Sequence, residues 1–286
     1  MLADLRRALG LLTILPFCES AAPKIVAIEL DSESTRKNAH THTHVSKSES
    51  KLKDAPEFAS APGRAMTYYP LVGAFLGGVL AGINELLDLS GLTNSLPLLA
   101  AALILVVWVG LTGGLHLDGW ADCCDALFVP VEREKRLEIM KDPRLGGFGA
   151  TGLVLLLLVK LAALGGVLSM ARPSDLLILV AVPAVSRWAA AAAAFAYPLA
   201  RSGGMGDYFR KGFTWVGLLV ATIVAVAAAA PLLWRGIVIW AAVILAFLTL
   251  SLLAKSRLGG LTGDVYGAII EGSETFALMV LCFING

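Results

Sequence analysis

Leu96-Pro-Leu-Leu-Ala-Ala-Ala-Leu-Ile-Leu-Val-Val-Trp-Val-Gly-Leu-Thr-Gly-Gly-Leu-His-Leu-Asp118-Gly-Trp-Ala-Asp122-Cys-Cys-Asp125 is almost wholly apolar until it meets three carboxylates. The apolar part is long enough for a helix that crosses about 30 Å of hydrocarbon. Asp118, Asp122 and Asp125 follow at i, i+4 and i+7. At about 100° per residue they share an arc of roughly 60° on one helix face. Uncompensated negative charge at the edge of an apolar span is costly. A solvated acidic face would interleave Lys or Arg, and none occurs between Leu111 and Val131. The pattern points to a bound divalent cation, and oxygen-only donors suit Mg²⁺ or Mn²⁺ better than zinc.

Working outward, the 286 residues are 57% hydrophobic and only 16% charged. Mean hydropathy is +0.76. Soluble domains average about 25% charged residues, so the expected class is an all-α, polytopic integral membrane protein. A net charge of +1 gives no reason to expect nucleic acid as a partner. Cys18, Cys123, Cys124 and Cys282 show no framework spacing and read as small apolar fillers in a reducing setting. The start of the chain carries Arg6 and Arg7, but its apolar stretch is short and broken by Pro16, unlike a cleavable signal peptide.

Three regions are expected. Residues 1–17 form an amphipathic or partly inserted helix. Residues 18–67 are polar and Ser/Lys/Glu-rich, with His40, His42 and His44 alternating, and read as a flexible cytoplasmic segment. Residues 68–286 form one transmembrane catalytic domain of about seven spans, near 68–87, 96–115, 148–170, 176–197, 215–234, 236–254 and 266–284. Gly73 with Gly77, and Gly78 with Gly82, are spaced for close helix approach, as is the run Ala189 to Ala194. Nine Lys or Arg precede the first span, and Arg133, Lys135, Arg136, Lys141 and Arg144 crowd the loop 116–146. The alternate loops hold only Arg172 and Arg235. Positive-inside asymmetry then puts the N-terminus and the catalytic loops on the cytoplasmic face of the cytoplasmic (inner) membrane.

Other candidate residues fall on that face or just inside it. Asp142 and Arg144 occupy a turn after a short interfacial helix, and Arg suits bidentate phosphate binding. Gly147-Phe-Gly149-Ala-Thr-Gly152 matches a dinucleotide pattern but opens a membrane helix with no preceding strand, so only a backbone phosphate cradle remains. Asp264 and Glu271 share a face of the last span, with Glu274 offset. Buried acids need partners, and Lys160 and Arg187 are the candidate cations. A purely structural ion pair is the alternative to a polar cavity.

The stretch Thr112 to Asp125 resembles the signature of the cobalamin synthase (adenosylcobinamide-GDP ribazoletransferase) family. Arg136 to Gly149, Ser186-Arg187 and Leu258 to Glu274 follow in that family's order, and Tyr69-Pro-Leu-Val-Gly73 fits its first membrane entry. The resemblance covers residues 1–17 and 64–284. Ala126 and Pro143 stand where the family usually has Gly and Ser, and residues 31–54 resemble an insertion. What the resemblance implies is Mg²⁺-dependent transfer of the cobinamide phosphate of adenosylcobinamide-GDP to α-ribazole or its 5′-phosphate, with GMP leaving. It also implies a lipid bilayer around the chain and other cobalamin-assembly enzymes as candidate partners. On that basis Asp118, Asp122 and Asp125 hold the metal, and Asp264 with Glu271 complete its shell. One of Asp118, Asp122 and Asp125, or Asp142, takes the attacking hydroxyl's proton, with His116 a further candidate base. Arg144, Arg187 and Lys160, with Gly147 and Gly149, bind phosphate.

Two rivals are set aside. A CDP-alcohol phosphotransferase also uses clustered Asp, but Asp122-Cys-Cys-Asp125-Ala126 lacks that family's Ala-Arg sequel. An ion-coupled transporter predicts inverted repeats between the halves, and none is visible.

Overall fold

The computed structural model describes residues 2–13, 62–169, 176–202 and 204–285, so most of the polar segment, with its three histidines, lies outside the described residues. In chain order the helices are α1 (Leu2–Leu12), a 3₁₀ turn (Pro62–Tyr68), α2 (Tyr69–Leu89), α3 (Leu92–Ser95), α4 (Pro97–Thr112) and α5 (Leu115–Leu127). Then follow α6 (Arg133–Ile139), α7 (Gly147–Leu168), α8 (Leu176–Ala196), α9 (Met205–Arg210), α10 (Trp215–Ala229), α11 (Trp234–Leu258) and α12 (Gly263–Asn285). The only β pairing among the described residues is an isolated bridge, Leu199 to Leu261.

Six helices are long and apolar enough to cross a membrane, and seven if α4 and α5 count as one bent span. Proline begins two of them, Pro70 in α2 and Pro97 in α4, where its missing N–H costs no helical bond. Helices α8 and α12 form the centre and are packed on most sides, whereas α4, α7, α10 and α11 turn leucine, valine and isoleucine outward. Such outward apolar faces suit lipid.

Gly73 and Gly77 lie against α8, where an added Cβ would strike the Pro183 and Leu179 carbonyls. That spacing-four pair does bring two backbones together. Gly78 and Gly82 face open space and do not. Residues 189–194 are buried alanines.

Two boundaries differ from expectation. Ala65 and Met66 are fully buried in the 3₁₀ turn, which packs on α1 and α10. The apolar span that holds α2 accordingly runs from Gly63 rather than from residue 68. The hairpin between α10 and α11 turns at Ala230–Leu233 rather than at Trp234–Gly236, because Pro231 stops α10. Leu233 accepts a positive φ of 53° there.

Candidate active site at the α4–α5 bend

The apolar helix α4 stops at two consecutive glycines in left-handed conformation, Gly113 (φ 62°) and Gly114 (φ 69°). A side chain there would be strained. The chain turns by 89° and starts again as α5, which carries all three acids. Asp118 is exposed, while Asp122 and Asp125 are half-buried. The C-terminus of α5 is capped from α6. Buried Arg136 donates from Nη1 to the carbonyls of Ala126 (2.7 Å) and Leu127 (3.0 Å), and a cation suits that end of the helix dipole. Trp120 Nε1 donates to the Gly152 carbonyl at 3.0 Å, pinning α5 to α7.

Asp125 has a different task from its two neighbours. Its carboxylate accepts from the backbone N–H of Gly146 and of Gly149, both at 2.8 Å. It thereby satisfies the open N-terminus of α7. A Cβ at Gly146 or Gly149 would run into that carboxylate, and one at Gly152 into the Cys124 sulfur. The Gly-rich cradle expected to hold a phosphate is thus filled by Asp125 itself, and Gly147, with nothing against it, lies outside the contact. In the loop just before, Arg144 grips Asp142 in bidentate fashion. Nε to Oδ1 is 2.9 Å and Nη2 to Oδ2 is 2.6 Å. These hydrogen bonds hold the Asp142 carboxyl down at about 2. Arg144 itself is 85% exposed.

Asp264 completes the group from α12. Gly119 lets α5 approach so closely that an added Cβ would sit 2.6 Å from the Asp264 carbonyl. Gly267 packs likewise against the His116 backbone. Thr262 Oγ1 donates to Asp264 Oδ2 at 3.1 Å. Asp122 stands in the negative field of Asp118, Asp264 and Asp125. Among the described residues, none of Asp118, Asp122 and Asp264 has a basic nitrogen within 4.0 Å. Nor do any three His, Cys, Asp or Glu side chains among them converge closely enough to enclose an ion unaided. Beside Asp118 and Asp264 opens a cavity of about 110 Å³, walled by His116, Tyr69, Phe209 and Tyr266, with α1 and the 3₁₀ turn closing one side.

The remaining candidates meet elsewhere. Lys160 Nζ lies 2.7 Å from Glu271 Oε2 and 2.6 Å from Glu274 Oε2, and 4.3 Å above the Trp108 ring. Arg187 Nη1 lies 2.7 Å from Glu274 Oε1. All four charged groups are at most 3% exposed. Glu271 therefore stands with Lys160 and not with Asp118 and Asp122, and the charged ends of Lys160 and Arg187 are held by carboxylates. This is the ion-pair alternative. Arg133 adds a contact with no local signal in the chain: it ties the end of α11 (Leu258 O, 2.6 Å) to Ala200 (2.8 Å). Only its place in a basic loop beside a helix end hinted at such a role.

The chain matches the model of the cobalamin-5-phosphate synthase family over residues 4–282. It is 39% identical over 227 residues to an adenosylcobinamide-GDP ribazoletransferase of Pseudomonas syringae pv. syringae (strain B728a), covering 78% of this chain and 89% of the relative. A protein of the same name from Desulfitobacterium hafniense (strain Y51) is 40% identical over 218 residues, covering 74% and 83%. One from Brevibacillus brevis (strain 47 / JCM 6285 / NBRC 100599) is 36% identical over 222 residues, covering 76% and 87%. No solved structure matches. Because the family match spans residues 4–282, from α1 into α12, and so takes in both helices that carry Asp118, Asp122 and Asp264, the chain belongs to the cobalamin-5-phosphate synthase family.

Proposed function

We propose that the chain transfers the cobinamide phosphate of adenosylcobinamide-GDP to α-ribazole or its 5′-phosphate, the last step of nucleotide-loop assembly. A ribose hydroxyl attacks the phosphorus nearest cobinamide. The P–O–P bond breaks, GMP leaves with the bridging oxygen, and the hydroxyl proton passes to a carboxylate of the α5–α12 group. The observation that carries this reading is the set Asp118, Asp122 and Asp264, three carboxylates in one another's field at the bend, none with a basic nitrogen within 4.0 Å among the described residues.

The donor chemistry suits Mg²⁺: hard oxygens and negative charge to spare. Asp118, Asp122 and Asp264 would hold it beside the bound diphosphate. When bound, Mg²⁺ offsets charge on the diphosphate and on departing GMP. Arg144, on an exposed loop, reaches for the diphosphate when it leaves Asp142. Asp125 fixes the turn that carries it. Lys160, Arg187, Glu271 and Glu274 act as a keel for α12, not as ligands. The basic loops at the α5 end support a cytoplasmic setting for this face, with the chain in the inner membrane.

The test is GMP release from membranes holding the chain, supplied with adenosylcobinamide-GDP and α-ribazole. Release that needs both ribazole and Mg²⁺ supports the reading. Release indifferent to ribazole, or none from folded protein, removes it.

A further inference from the structure

The cavity beside Asp118 and Asp264 has chemistry of its own. Tyr69, Phe209 and Tyr266 pack edge to face across it, with ring centroids 6.2 Å and 6.4 Å apart along the series. Aliphatic side chains from α1 and the 3₁₀ turn close the rest. Two wall residues carry buried polar atoms with no partner among the described residues, Nδ1 of His116 and the Tyr266 hydroxyl. His116 is 4% exposed and Tyr266 3%. A buried polar atom left unmet is costly, so a wall holding two of them suits a ligand that brings complementary atoms.

The geometry points to this cavity as the seat of the acceptor's base: it takes the flat, dimethyl-substituted benzimidazole of α-ribazole, with Tyr266 donating to the free ring nitrogen. This inference rests on the function proposed above. Of the four bulky parts of the two substrates, the corrin ring, adenine, guanine and the benzimidazole, this last fits best. The corrin macrocycle is far larger than about 110 Å³. Guanine and adenine carry donors and acceptors along most of their edges, and apart from Asp118 and Asp264, which the function above gives to Mg²⁺, the wall offers them only His116 and the tyrosine hydroxyls. Benzimidazole offers two stacking faces, two methyl groups and a single in-plane acceptor. Aromatic side chains gain from stacking on such a ring. A base seated here puts its ribose within reach of Asp118 and Asp264, which line the same cavity, where the attacking hydroxyl is needed.

Tyr266→Phe keeps the ring and removes only the hydroxyl. Two readouts separate this inference from the parent reading. Equilibrium dialysis of labelled α-ribazole against the full chain in detergent, without the second substrate, is expected to show binding weakened about 5- to 10-fold in the variant. In turnover, KM for α-ribazole is expected to rise by the same factor while KM for adenosylcobinamide-GDP stays put, which also shows the variant folded. Phe209→Leu, which removes a stacking face, is expected to move the same constant. Unchanged ribazole binding and KM in Tyr266→Phe, or both KM values rising together, overturns the inference. A wild-type chain that releases no GMP but binds ribazole through Tyr266 overturns the transfer reaction and leaves the ribazole seat standing.

Discussion

Helix α12 carries acids at two levels, and they live differently. Glu271 and Glu274, deep in the bundle, face Lys160 and Arg187 at hydrogen-bond distance and leave the four-residue set formally neutral. Asp264, two turns earlier, lies in the fields of Asp118 and of Arg201, with no basic nitrogen within 4.0 Å of it among the described residues. Deep in low dielectric a carboxylate must be paired or give up its charge, so the inner set is closed. Near the membrane surface water can bear an unpaired acid, so the outer set remains open to an incoming cation. One helix thus holds its own place with the first pair and offers the second to substrate.

The largest effect should come from breaking the closed set. Glu274→Leu removes the carboxylate shared by Lys160 and Arg187 and leaves buried charge behind. The expected cost is about 3–5 kcal/mol, read as a large fall in the melting temperature of purified protein in detergent. The companion variant Lys160→Met/Glu271→Met removes one charge of each sign and keeps the Arg187–Glu274 pair. It should melt close to wild type and retain turnover. A stable but inactive double variant would mean that the inner set takes part in the chemistry, and the contrast would fail.

The open set should behave in the opposite way. Asp122→Asn removes charge from a place with no partner to strand, so melting should change little. Turnover should fall about 10²–10³-fold or more, the usual loss for one electrostatic contributor to phosphoryl or acyl transfer. Near-normal GMP release from Asp122→Asn would remove Asp122 from the site.

How far the chain announced these two sets follows from what each signal depends on. Period and apolar length are local, so the spans and the helical placement of Asp118, Asp122 and Asp125 were legible. The i, i+4, i+7 spacing did put three acids on α5. It could not assign their tasks, because Asp125 is claimed by backbone N–H groups of Gly146 and Gly149, 21 and 24 residues away. Glu271 and Asp264 share a helix face, yet seven residues of depth separate a lipid-level ion pair from a surface-level cleft. Depth and partner are properties of packing. Tyr69, Phe209 and Tyr266 gave no local hint of a cavity, since their meeting joins α2, α9 and α12.

A smaller effect tests the join between Asp125 and the turn. Gly149→Ala places a Cβ against the Asp125 carboxylate and close to the Ala121 carbonyl. Overpacking of this kind costs about 1–3 kcal/mol. Because the displaced carboxylate holds the turn that presents Arg144, KM for adenosylcobinamide-GDP should rise with the loss of stability. Gly147→Ala, which meets nothing within 4 Å, should do neither. Equal effects from the two glycines would detach Asp125 from this positioning role.

The smallest effect concerns pH. Asp142 is held by Arg144 down at about 2, below the ordinary carboxylate range. A depressed acid contributes order that is complete above its unfolded value of about 3.9 and fades as pH falls through its folded value. From pH 5 to 8 the pair is therefore fully formed, and any inflection of turnover with pH in that window belongs to another group. Asp142→Asn should leave the shape of the profile between pH 5 and 8 unchanged while freeing Arg144 and altering only KM for adenosylcobinamide-GDP. A profile that loses an inflection in this variant would make Asp142 the titrating base and move the proton transfer from the helix acids to the loop.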